Sequence, residues 1–188
     1  AIPTPEEGFT DVPQGHWAEG AVNDMAGLEL VKGVNEAQRI FDLTSDITRG
    51  SLASILYRFS NGEKGLENPF SDVAGDAWYA DAVAWAAKTG VVNGKGNNDF
   101  APNDAISRQE LAVMLFRYAK LIGMDVKTQA ELTKFSDSAD VADWAKEAMT
   151  WCVGVGILKG TGADLLNPKG TASRAECVVM LSRFIGLL

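Results

Sequence analysis

Apolar residues recur along the chain with the spacing of helix faces, in blocks broken by glycine and short polar turns. In the middle of the chain Trp78, Ala82, Val83, Trp85 and Ala86 fall on one such face. Gly90 follows as a left-handed stop. Val91-Val92 reads as a short extended piece and Gly94-Lys95-Gly96-Asn97-Asn98 as a turn. Phe100-Ala101-Pro102 then leads into a second helix that starts at Ser107, with Leu111, Met114, Leu115 and Tyr118 as its apolar stripe. The last third follows the same scheme: Trp144, Ala148, Met149, Trp151 and Cys152, then Gly156, then a helix carrying Cys177, Val178, Met180, Leu181 and Phe184. The fold class this pattern predicts is all-α.

The scheme occurs three times. Phe9-Thr10-Asp11-Val12, Phe70-Ser71-Asp72-Val73 and Phe135-Ser136-Asp137 open the copies. Trp17, Trp78 and Trp144 follow, each at one fixed interval before a glycine: Gly33, Gly94 and Gly160. The copies span 9–60, 70–120 and 135–186, joined by linkers at Asn61–Asn68 and Gly123–Lys134, the second with room for extra helix around Thr128–Leu132. Two helices of this length bury too little to stand alone. The three helix-loop-helix repeats are therefore expected to share a core with quasi-threefold symmetry, the first helices forming a central three-helix bundle.

Each second helix begins with an arginine in its first turn: Thr48-Arg49-Gly50-Ser51, Ser107-Arg108-Gln109-Glu110 and Ser173-Arg174-Ala175-Glu176. The serine and glutamate of the last two read as capping boxes. The arginine opposes the helix dipole, yet it strengthens an anion site made by free N–H groups. Three at matching places predict a site for a negatively charged ligand, used three times. The alternative is structural pairing with Asp11, Asp72 and Asp137. Gly33, Gly94 and Gly160 either permit a positive φ or admit a ligand to the backbone, beside Val34, Lys95 and Thr161. Trp17, Trp78 and Trp144 are either core or sugar platforms, core being the commoner use. Trp85 and Trp151 read as core. Arg58, Arg117 and Arg183, nearer the helix ends, read as structural, and His16 as a surface or capping residue.

Composition narrows the partners. Apolar residues are 46% and charged residues 22% of the 188, which fits an ordered chain. The net charge is −8, and no Lys/Arg cluster offers a nucleic-acid face. No apolar run is long enough for membrane insertion. Cys152 and Cys177 match no zinc spacing, so no metal or other cofactor is expected. They read as buried thiols, with a disulfide between neighbouring helices as the alternative. No pair of carboxylates stands in a repeated catalytic setting, so no enzyme is expected.

The first copy departs from the other two. Gly50-Ser51 stand where the others have Gln-Glu and Ala-Glu, Glu29 replaces the stop glycine, Asp24 replaces Trp85 and Trp151, and Leu43 replaces Pro102 and Pro168. Its loop between Gly33 and Arg49 is longer. The site that relies on Arg49 is expected to be the weakened one.

These motifs resemble the S-layer homology family, whose repeat reads F-x-D-V, W-A, a helix, G-I-x-x-G, F-x-P and I-T-R-A-E. The resemblance runs from Phe9 to about Phe184. It implies a three-pronged spindle that anchors a surface protein to the bacterial cell wall, outside the cell. The implied ligand is a secondary cell-wall polymer linked to peptidoglycan, held in grooves between repeats. Its end carries pyruvylated N-acetylmannosamine, which supplies a carboxylate. The implied polymer-binding residues are Asp11, Trp17, Gly33, Arg49, Asp72, Trp78, Gly94, Lys95, Arg108, Asp137, Trp144, Gly160, Thr161 and Arg174. The fragment is expected to be monomeric. The alternatives are a protein-binding or self-assembly module of a surface layer, and a tether of an outer membrane to modified peptidoglycan.

Overall fold

Three helices start on a hydroxyl residue held in extended backbone. Thr48, Ser107 and Ser173 accept the N–H of Ser51, Glu110 and Glu176 through their side-chain oxygens. At Ser107 and Ser173 the glutamate also reaches back to the cap N–H, completing the predicted capping boxes. At Thr48 the third residue is Ser51, whose hydroxyl lies 2.8 Å from the threonine oxygen. These caps open α2 (Arg49–Phe59), α4 (Arg108–Leu121) and α6 (Arg174–Ile185). The shorter α1 (Glu19–Gly27), α3 (Ala80–Lys88) and α5 (Lys146–Gly154) have no side-chain cap. The computed structural model describes residues 8–162 and 164–188. Among the described residues the chain is helical, with two 3-10 turns, isolated β-bridges and no β-strand.

Gly90 and Gly156 stop α3 and α5 in left-handed backbone, at φ +76° and +79°. Glu29 takes the same conformation after α1, at φ +58°. The stop survives there without glycine, at a cost of about 1 kcal/mol for a side chain in this region.

Helix pairing is offset from the sequence repeat. The first helix of the second and third copies packs against the second helix of the copy before it, α3 against α2 and α5 against α4, and α1 of the first copy packs against α6 of the last. The compact units follow this pairing. One comprises the chain up to Ile47 together with Ala172–Leu188, and the other Thr48–Thr171. Within the second unit Leu52, Leu56, Val83, Leu111, Leu115 and Met149 are fully or nearly fully buried. Trp85 and Trp151 join them, as their spacing predicts, in ring contacts with Tyr57 (5.8 Å) and Phe116 (5.5 Å). In the first unit Val22, Met25, Phe41, Cys177 and Phe184 form the core.

The extra helix expected around Thr128–Leu132 is not formed; the segment has no regular structure. Ala130 donates its N–H to the Thr150 carbonyl of α5 (3.1 Å). Gly154 makes the approach possible, since a Cβ there would lie 3.1 Å from the Gln129 carbonyl carbon. Tertiary contact with α5 overrides local helix propensity. Cys152 and Cys177 are buried free thiols. Burial raises the pKa of both, to about 12 for Cys177.

Candidate functional site

The opening aspartate of each copy clamps its own loop. Asp72 accepts the N–H groups of Phe100 (2.8 Å) and Ala101 (2.6 Å). Asp11 does the same for Phe41 and Asp42 (both 2.7 Å), and Asp137 for Leu166 (2.8 Å) and Asn167 (2.7 Å). The second residue of each pair, Ala101, Asp42 or Asn167, lies at positive φ. The carboxylate holds that conformation with two charge-assisted bonds.

The first-turn arginine of the first and second copies docks on the loop of the next copy, and that of the third on the loop of the first. Arg49 Nε donates to the Phe100 carbonyl (2.9 Å), Arg108 Nε to Leu166 (2.8 Å) and Arg174 Nε to Phe41 (2.9 Å). Each carbonyl belongs to a peptide group whose N–H is bonded to the clamping aspartate. A carboxylate and a guanidinium thus grip opposite ends of one peptide dipole, three times over. Their Nη2 atoms donate to the carbonyls of Asn93 (3.4 Å), Lys159 (3.1 Å) and Lys32 (2.8 Å). Arg49 and Arg108 are buried and Arg174 is half-buried. The aspartates therefore reach the arginines through a peptide group, and pairing is structural in effect.

The helix starts are not open anion sites, contrary to the expectation from sequence. Arg49 and Gly50 donate their N–H groups to the carbonyls of Asp104 (3.0 Å) and Pro102 (2.8 Å). Arg108 and Gln109 donate to Gly170 and Pro168, and Arg174 and Ala175 to Ser45 and Leu43. The third N–H goes to the cap oxygen. Neighbouring loop carbonyls take the donors that an anion would need. Leu43 serves as well as Pro102 and Pro168, because only its carbonyl is used.

Gly33, Gly94 and Gly160 have no positive φ, which removes that reading. They are glycines for contact. A Cβ on Gly94 would meet the Asp99 carbonyl at 2.7 Å and the Phe70 ring at 2.8 Å. One on Gly33 would meet Ile40 and Phe9, and one on Gly160 would meet Phe135 and Leu165. The next residues, Val34, Lys95 and Thr161, close the loop by donating to Ile40 (2.8 Å), Asp99 (2.7 Å) and Leu165 (2.8 Å). The extra length of the first copy lies inside this loop. It sits beside Arg174, which docks there, and not beside Arg49.

Beside Arg49 a cleft of about 480 Å³ opens in the unit Thr48–Thr171. It is walled by Val92, Asn93, Gly94 and Lys95, by Val113 and Met114 of α4, and by Trp144. Arg49 comes from the first copy, Lys95 from the second and Trp144 from the third. Arg49 Nη1 pairs with Glu110 Oε1 (3.0 Å), and Lys95 Nζ lies 3.2 Å from Asp104 and 3.6 Å from Glu110. Burial alone would raise the Glu110 pKa. The N–H and hydroxyl of Ser107, with Arg49 and Lys95, override it and hold the carboxyl below its ordinary range. Burial lowers the Arg49 pKa against the pull of Glu110 and Asp104, but a guanidinium starts high enough to stay charged.

Trp17, Trp78 and Trp144 are 61%, 69% and 61% exposed, so the core reading fails for all three. Each stands just before its helix, off the face that packs. Periodicity could not separate Trp78 from Ala82 and Val83, because a residue two positions outside a helix still fits its spacing. Trp17 stacks against His16 (5.3 Å), whose Nδ1 accepts the Ala18 N–H. Arg117, read from sequence as structural, lines the cleft. Gly160 lines a wider hollow of about 720 Å³ with Lys134 and Lys159, but among the described residues no tryptophan or arginine borders it.

The family model for the S-layer homology domain matches residues 8–36, 69–112 and 134–177. Those segments hold all three clamping aspartates and the three tryptophans; the match to the first copy stops inside its lengthened loop. The chain is 32% identical over 178 residues to an S-layer protein of Bacillus thuringiensis subsp. finitimus, covering 93% of this chain and 21% of that protein. It is 31% identical over 172 residues to the surface-layer 125 kDa protein of Lysinibacillus sphaericus, covering 90% of this chain and 14% of that protein. Exoglucanase XynX of Acetivibrio thermocellus is 29% identical over 174 residues, 92% of this chain but 16% of the enzyme. The chain thus spans a small part of these relatives, and it corresponds to a segment that surface-layer proteins and an exoglucanase have in common. Repeats interlocked by clamp and docked arginine, and matched in all three copies, make this chain a member of the S-layer homology family.

Proposed function

We propose that this segment is a non-catalytic anchor that holds a larger surface protein to the bacterial cell wall. It does so by binding an acid-bearing wall polysaccharide in the cleft beside Arg49. The acid is the carboxylate of a pyruvate ketal on N-acetylmannosamine. The observation that carries this reading is the cleft itself: three cations, Arg49, Lys95 and Arg117, against one lining carboxylate, Glu110, in a chain of net charge −8. Its exposed Trp144 offers a flat apolar face to a sugar ring. Gly94 keeps a ligand close to the backbone, and its N–H has no protein partner among the described residues. A local positive field is what an anion requires of an acidic protein. The relatives named as enzymes share this stretch with S-layer proteins and have most of their length elsewhere, which supports anchoring and not turnover as its role.

Co-sedimentation with purified cell-wall sacculi tests the reading. The chain is expected to pellet with sacculi that carry their secondary polymer and to stay in solution with sacculi stripped of it. Trp144→Ala should reduce pelleting about tenfold or more, the loss of one stacking face. Equal pelleting with stripped sacculi would overturn the proposal.

A further inference from the structure

The three cations of the cleft are not equally available. Arg49 is committed. Its Nε, Nη1 and Nη2 bond to Phe100, Glu110 and Asn93, and the residue is 5% exposed. Lys95 is shared between Asp104 and Glu110. Arg117 differs from both. It is half-buried on α4 and lines the cleft. Among the described residues no carboxylate pairs with it. Its one side-chain partner is neutral: with the Asn93 amide turned so that its nitrogen donates to the Val92 carbonyl (3.0 Å), the amide oxygen accepts from Arg117 Nη2 (3.1 Å). Burial lowers its pKa with no nearby carboxylate to oppose the shift, whereas Glu110 opposes it at Arg49. The equivalent Arg58 is exposed and turns back to the Ser54 carbonyl of its own helix (3.1 Å).

A partly desolvated guanidinium without a counter-ion is a poor contributor to stability and a strong receptor for a carboxylate. We propose that Arg117, not the first-turn Arg49, takes the acid group of the ligand, with Asn93 orienting its planar fork. Lys95 adds charge at the rim, and Arg49 is a positioning residue that fixes the wall of the cleft. This inference rests on the anionic-glycan reading above and assigns its specificity to one residue.

Calorimetric titration of the full chain tests it with two probes: a synthetic disaccharide ending in pyruvylated N-acetylmannosamine, and the same sugar without the ketal. The unaltered chain should prefer the pyruvylated sugar. Arg117→Gln should weaken that sugar by about 10- to 100-fold, the value of one charge-assisted pair, and leave the ketal-free sugar as it was. Arg117→Lys, which retains charge without the fork, should fall between. If Arg117→Gln keeps the preference of the unaltered chain, the assignment to Arg117 is wrong while the anchoring reading stands. Should Arg117→Lys lose both sugars equally, Arg117 is merely structural and the assignment again fails. If the unaltered chain does not distinguish the sugars, both readings fall together.

Discussion

Gly94 and Gly90 lie close in sequence and are glycines for different reasons. Gly90 needs its left-handed φ of +76° but has open space around its hydrogen. Gly94 has ordinary backbone and no space. Gly90→Ala should therefore cost about 1 kcal/mol. Gly94→Ala must push the Asp99 carbonyl or the Phe70 ring aside and should cost more, about 2–3 kcal/mol. Urea denaturation of the two variants checks the order. Asp72→Ala removes the bonds to the Phe100 and Ala101 N–H groups, and the second of these holds the Phe100–Ala101 peptide on which Arg49 rests. It should cost about 2–4 kcal/mol and also weaken polymer binding, because Arg49, which lines the cleft, rests on that peptide. Glu110 adds a pH dependence. Its folded pKa lies below its ordinary 4.5, so its contribution is complete above that value and is lost as the pH falls through the lower folded pKa. Glu110→Gln should flatten this part of the acid limb in stability measured from pH 7 to pH 2. The aspartates and glycines were visible in the sequence as repeated positions. Their roles were not, because partners such as Asp72 and Ala101, or Gly94 and Phe70, are distant in sequence and joined only by the fold.

At the scale of elements, the helices were legible and their partners were not. The apolar stripes of α3 to α6, the two capping boxes and the left-handed stops at Gly90 and Gly156 are local signals, and they occur where the sequence places them. Which helix meets which depends on loop geometry that a stripe does not encode. The offset pairing has a direct consequence. A fragment cut along the repeat, residues 70–120, contains α3 and α4 without α2 and α5, their packing partners. It should show no cooperative thermal transition. A fragment cut along the compact unit, Thr48–Thr171, keeps both pairs. It should unfold cooperatively by circular dichroism. The reverse result would mean that the repeat, not the pairing, is the folding unit. The first-turn arginines belong to the same lesson. Their repetition marks equivalent positions, each docked on a loop carbonyl, while neighbouring loop carbonyls, invisible in any local window, consume the N–H donors at all three starts.

For the whole molecule, sign and locality of charge decide what it can bind. The chain is acidic, yet the cleft in Thr48–Thr171 brings three cations together. Binding of an anionic wall polymer should therefore weaken as salt rises from about 0.05 to 0.5 M, where exposed charges are screened beyond about 4–14 Å. Stacking on Trp144 should leave a salt-resistant remainder. On the proposed function this cleft receives an acid-bearing sugar. The most direct test is a map of nitrogen-15 amide and side-chain signals during titration with the pyruvylated disaccharide. The largest shifts are expected on the Trp144 indole N–H, the Gly94 and Lys95 amides and the Arg117 Nε–H. Shifts gathered instead on Lys134 and Leu158–Gly162, with those four signals unmoved, would contradict it.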